Sequence, residues 1–80
     1  MNELDGVIDD LLRYHRQNPL RVAFGTPLLI ALHGADRVQA AYQQLESEQR
    51  VEAMHHRVVR EGAPRMCYRI TKQGMKDRAP

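Results

Sequence analysis

The hydrophobic period changes once along this chain, near Val51, and that change restricts the fold to a helical stretch followed by a β stretch. Before it, Leu4, Val7, Ile8, Leu11 and Leu12 stand at i, i+3, i+4, i+7 and i+8, a single apolar stripe on a first helix. Asn2 is its expected N-cap. Acidic residues crowd its first half, and Arg13, His15 and Arg16 near its end suit the helix dipole. Asn18-Pro19 stops it, because the residue before a proline is pushed out of the helical region. Leu20, Val22 and Phe24 then alternate with Arg21 and Ala23, which predicts a short half-buried strand. Thr26-Pro27 opens a second helix, with Thr as N-cap and Pro at the first position, where its missing N–H costs nothing. Leu28 to Leu32 is apolar nearly all round, so this helix is expected to be deeply buried. His33-Gly34 closes it. Asp36 is the expected N-cap of a third helix, which buries Val38, Ala41, Tyr42 and Leu45 and ends near Ser47–Gln49.

After Val51, residues 51–60 and 66–72 read as strands flanking Glu61-Gly62-Ala63-Pro64-Arg65, a turn rich in chain breakers. In the second strand Met66, Tyr68 and Ile70 share one face, and Cys67, Arg69 and Thr71 the other. The first strand alternates poorly, with His55-His56 and Val58-Val59 adjacent, so a bulge is expected in it. The result is an α+β domain over residues 1–75, with residues 76–80 as a tail and a reading of Gly74 onward as irregular. Its expected core is Leu4, Ile8, Leu11, Leu28, Leu32, Val38, Tyr42, Leu45 and Tyr68.

Chemistry is sparsely supplied. Eighty residues make one small domain, which buries only about 60% of its unfolded surface. Ser47 is the only serine and lacks a Gly-x-Ser-x-Gly elbow, Asp9 and Asp10 point about 100° apart on a helix, and no phosphate-cradling glycine loop occurs. No enzyme and no cofactor are expected. His55 and His56 are strand neighbours whose side chains point to opposite faces, so no metal site is expected either. The single cysteine, Cys67, excludes an intramolecular disulfide and reads as a small strand residue. With no apolar run of 18 residues and an acidic N-terminus unlike a signal peptide, the expected location is cytoplasmic, without membrane contact.

Charge is divided. Residues 1–49 carry four basic side chains against seven acidic ones, whereas residues 50–80 carry eight against three. A basic second part suggests a surface that meets a polyanion. The order helix, short strand, helix, helix, basic hairpin, with Gly34 at a tight joint before the third helix, resembles the winged helix-turn-helix domain of bacterial transcriptional regulators. The closing strand supports the likeness: Tyr68, Ile70, Thr71 and Gly74 stand where those families carry an aromatic, an aliphatic, a threonine and a glycine. One departure is Gln49-Arg50-Val51, which replaces the usual glycine-aliphatic pair after the third helix.

The resemblance implies a partner, double-stranded DNA. Arg37, Gln39, Ala40, Gln43 and Gln44 would enter the major groove, with Gln pairing adenine and Arg pairing guanine. Arg57, Arg60, Arg65 and Arg69 would lie along phosphates and displace counterions. Arg65, beside Pro64, is expected to support no core packing. The competing reading is a winged-helix interaction module that binds a protein partner or a second copy and never touches DNA, since one fold serves both.

Overall fold

In the computed structural model, which describes residues 3–58 and 63–76, the switch of period at Val51 separates three helices from an antiparallel hairpin. The elements among these residues are α1 (Asp5–Gln17), α2 (Pro27–His33), α3 (Ala35–Ser47), β1 (Val51–Val58), β2 (Pro64–Ile70) and a short α4 (Lys72–Met75). None of these helices is long and apolar enough to cross a membrane.

Local chemistry accounts for most of the helix ends. Thr26 caps α2 as expected: its Oγ1 accepts from the Leu29 N–H at 3.1 Å, with Pro27 at the start of the helix. Gly34 alone joins α2 to α3. Its N–H donates to the Ile30 carbonyl at 2.8 Å while its own carbonyl accepts from Val38 N–H at 3.1 Å, and φ of 89° at this residue needs glycine. The expected cap Asp36 therefore sits inside the first turn of α3, because the joint is one residue shorter than a separate cap requires. Helix α1 begins after Leu4 with no side-chain cap, and the expected cap Asn2 lies outside the described residues. At the other end of α3, Gln49 N–H donates to Glu46 O and Arg50 N–H to Leu45 O, both at 2.9 Å, closing the helix as a Schellman motif. Gln49 carries the left-handed φ of 60° that glycine usually supplies there.

The core consists of Val7, Ile8, Leu11 and Leu12 from α1, Phe24 from the loop before α2, Val38, Ala41, Tyr42 and Leu45 from the inner side of α3, and Val51, Cys67, Tyr68 and Ile70 from the hairpin. Of the expected members, Leu4 packs against this core half-buried and two lie outside it. Leu28 and Leu32 are 75% and 66% exposed, and α2 buries no residue fully. Seven residues make two turns, which touch α1 and α3 on one side only, so Leu29 and Ile30 pack and the other flank faces out. The expected strand at 20–24 contracts to one bridge, Ala23 with Tyr68, bonded in both directions at 3.0 and 2.8 Å. Leu20 is 86% exposed there, because the turn at Asn18–Arg21 lifts it away from the core.

His15 is buried completely instead of serving the helix dipole in solvent. Its Nε2 lies 2.8 Å from the Tyr42 hydroxyl, which also accepts the Gly25 N–H at 2.7 Å. Burial keeps the imidazole neutral, so a single hydrogen lies between Nε2 and the hydroxyl oxygen, and Nδ1 has no partner among the described residues. Burial lowers the His15 pKa to about 4.

In the hairpin, Val51 pairs with Ile70 and Val58 with Pro64, and the register shifts between Ala53 and His55, so the expected bulge is present at Met54. The first strand runs to Val58, the last described residue before the turn, and the second covers 64–70 rather than 66–72. Pro64 and Arg65, expected in the turn, belong to β2, and residues 59–62 lie outside the described part. The expected tail from Gly74 is instead partly ordered as α4, capped by Thr71 Oγ1, which accepts Gly74 N–H at 3.1 Å. Gly74 is buried, and a Cβ there would overlap the Arg50 carbonyl oxygen and Ile70.

Two measurements check these assignments. Gly74→Ala should destabilise the domain by about 1–3 kcal/mol or more in urea unfolding, because the obstruction is backbone, whereas Gln49→Gly should stabilise it by up to about 1 kcal/mol by relieving the left-handed strain. For His15, the folded pKa lies below the unfolded value of 6.5, so the unfolded chain binds the extra proton and stability falls as pH drops through that window. Unfolding free energy should fall by about 2 kcal/mol between pH 7 and 5, and His15→Gln should remove most of that dependence.

Candidate nucleic-acid interface

Burial of Val38, Ala41, Tyr42 and Leu45 turns the opposite side of α3 outward, and all five expected reading residues fall on it. They form two adjoining stripes at helical spacing, Arg37, Ala40 and Gln44 along one, and Gln39 and Gln43 along the other. Arg37, Gln39 and Gln43 are exposed, and Ala40 and Gln44 are half-buried. Their partners differ. Arg37 lies 3.8 Å from Glu3 in a solvent-exposed pair, which contributes little. Gln44 Nε2 donates to Glu48 at 3.3 Å, one turn further on, and so leans toward the C-terminal end. Gln39 accepts a hydrogen bond from outside its helix.

That donor is Arg65 of β2, whose Nη1 lies 2.6 Å from Gln39 Oε1. The same guanidinium sits 5.3 Å from the centroid of the buried Phe24 ring, so Arg65 supports packing that its place beside Pro64 did not suggest. Arg57 stands directly opposite Arg65 in the hairpin register, and its Nε donates to His55 Nε2 at 2.8 Å. Thus Gln39, Arg65, Arg57 and His55 make one chain of neighbours running from α3 across both strands. His55 was not foreseen as part of it. The signal was present: past the bulge, residues two apart on a strand share a face.

Arg69 stands apart from this group. Its Nη2 is 2.6 Å from Glu52 across the hairpin, so its charge is locally compensated. Arg60 lies outside the described residues. A further basic residue of this half, Arg50, is structural: it is 7% exposed, pairs with Glu48 at 3.1 Å, and donates to the carbonyls of Gln73 and Lys76. The positive excess of residues 50–80 is therefore not all available at the surface.

Burial pushes the Cys67 thiol up from its ordinary pKa, against a smaller opposing effect of Arg57. A cavity of about 200 Å³ opens between the Ala23–Pro27 loop and the hairpin, with Phe24, Ile30, Val58 and Cys67 on its walls and Arg57 at its edge. Among the described residues, no three His, Cys, Asp or Glu side chains are grouped to hold a metal ion.

The Phe24 contact has a measurable consequence. Arg65→Ala should cost about 1 kcal/mol in urea unfolding, made up of a partly desolvated cation–π contact and one exposed hydrogen bond. Arg57→Ala, with no such support, should stay within about 0.5 kcal/mol.

Comparison of the chain with protein-family models, with curated proteins and with solved structures finds no match.

Proposed function

We infer that this protein is a winged-helix DNA-binding protein that regulates transcription, with α3 in the major groove and the β1–β2 hairpin as the wing along the phosphates. The observation that carries this reading is the Arg65–Gln39 hydrogen bond of 2.6 Å. It joins the polar face of α3 to the basic hairpin, so base-reading and phosphate-binding groups lie on one surface, as recognition of a duplex requires. Gly34 supports the reading, since a tight glycine-containing joint between two consecutive helices is what a helix-turn-helix uses. The short bridge of Ala23 to Tyr68 likewise ties the inter-helix loop to the wing strand.

A second reading has its own support. Leu28 and Leu32 are one turn apart on α2 and mostly exposed, an apolar pair at the surface. Such a pair suits a protein partner or a second copy of the chain, either in place of DNA or beside it.

Titration with random-sequence duplex at several salt concentrations separates the two. Compensation of Arg69 by Glu52 reduces the four expected wing contacts with phosphate to about three, of which Arg57 is one. The log of the binding constant should then fall against log salt with a slope of about −3, from roughly −0.9 per phosphate neutralised. Arg57→Ala should weaken binding to all sequences alike and make the slope shallower by about one. Affinity no better than about millimolar at roughly 50 mM salt would remove the DNA reading and leave the interaction module.

A further inference from the structure

Gln39 is exposed on α3, where a glutamine amide is ordinarily free to turn over and exchange its oxygen for its nitrogen. Arg65 removes that freedom. A guanidinium carries five N–H donors and no acceptor, so only Oε1 of Gln39 can face it, and the contact is 2.6 Å. Arg65 is itself held, by its place on β2 and by the Phe24 ring 5.3 Å away, which is 3% exposed. With one lone pair of Oε1 used, the amide keeps one acceptor lone pair and two N–H donors side by side. That is the complement of adenine in the major groove, which offers an N6 amino donor beside an N7 acceptor. Guanine presents two acceptors on that edge, cytosine an amino donor, and thymine an acceptor and a methyl group. The neighbouring amides differ: Gln44 gives its Nε2 to Glu48, and Gln43 has no partner among the described residues.

We propose that Gln39 reads an adenine in the major groove and that Arg65 is the positioning residue that orients its amide, in place of the phosphate contact expected of Arg65. The proposal rests on the DNA-binding reading and adds the residue that makes Gln39 select its base. Orientation before binding removes part of the rotamer entropy that a free glutamine loses on contact, so the preference for adenine depends on Arg65 although Arg65 need not touch the base.

The test is selection of binding sites from a pool of random duplexes by the full chain, followed by affinity measurements on single-base variants of the selected site. The wild-type protein should show one position at which adenine is preferred about tenfold or more. Arg65→Met should flatten that position and leave the preferences at other positions standing, while Arg65→Lys, which keeps a donor, should retain part of it. Gln39→Glu keeps the contact with Arg65 but presents only acceptors, so the preference should move to cytosine through its amino group. This exposed helix position keeps the proposal testable should Arg65→Met fail to fold. Equal weakening of every sequence by Arg65→Met, or an unchanged base preference in Gln39→Glu, overturns the proposal and leaves DNA binding intact. A wild-type chain that binds no duplex overturns both together.

Discussion

Tyr42 is the side chain on which the packing converges. Its ring stacks on Tyr68 at 4.4 Å between centroids and 9° between planes, which fastens α3 to β2. Phe24 lies against the same ring at 5.6 Å, and the Tyr42 hydroxyl meets the Gly25 N–H and the His15 imidazole. One residue thus links α3 to α1, to the loop before α2 and to the hairpin. Aromatic pairs of this kind add about 0.5–1.5 kcal/mol beyond their buried area. In a chain with four aromatic residues, three of them lie in this cluster, and the relative placement of helices and strands follows from it.

The arrangement at Tyr42 also has a cost. The hydroxyl oxygen accepts the Gly25 N–H and reaches only Nε2 of His15, so Nδ1 of the buried ring is left without a partner among the described residues. A buried polar atom without a partner costs on the order of 1–3 kcal/mol. The network offsets this by fixing the direction of the Ala23–Gly25 segment, whose neighbour Phe24 underlies Arg65. The contact that holds Gln39 therefore depends on the aromatic cluster beneath it, and rigidity at the surface comes from packing in the core.

The arginines divide by what surrounds them. Arg16 and Arg50 point their guanidinium groups at carbonyls of the final turn: Arg16 bonds Gly74 and Lys76, and Arg50 bonds Gln73 and Lys76. These two close the C-terminal carbonyls of α4 and press it against α1 and the end of α3. Gly74 has the space for that approach only because it lacks a Cβ. Arg57 and Arg65 face outward, and the proposed interface draws on them, while Arg69 is compensated by Glu52. Identical side chains a few residues apart thus serve structure or surface according to the partners the fold brings them.

The sequence by itself determined the elements whose signals are local. The stripe from Leu4 to Leu12, the Thr26-Pro27 start, the Gly34 joint and the irregular alternation near His55 all act through neighbours within a turn or a strand pair, and each appears in the structure at its place. The outward face of α3 was legible for the same reason: once Val38, Ala41, Tyr42 and Leu45 are inside, Gln39 and Gln43 have nowhere else to be. What depended on distant partners was decided only by the tertiary structure. An all-apolar stretch such as Leu28–Leu32 does not say which side meets a neighbour, and α2 is too short to be enclosed. His15 gives no sign in sequence that Tyr42, 27 residues away, receives it. Arg65 and Gln39 are 26 residues apart, and no period relates a strand residue to a helix face. Their meeting is set by the stack of Tyr42 on Tyr68, because that contact fixes how the hairpin lies against α3.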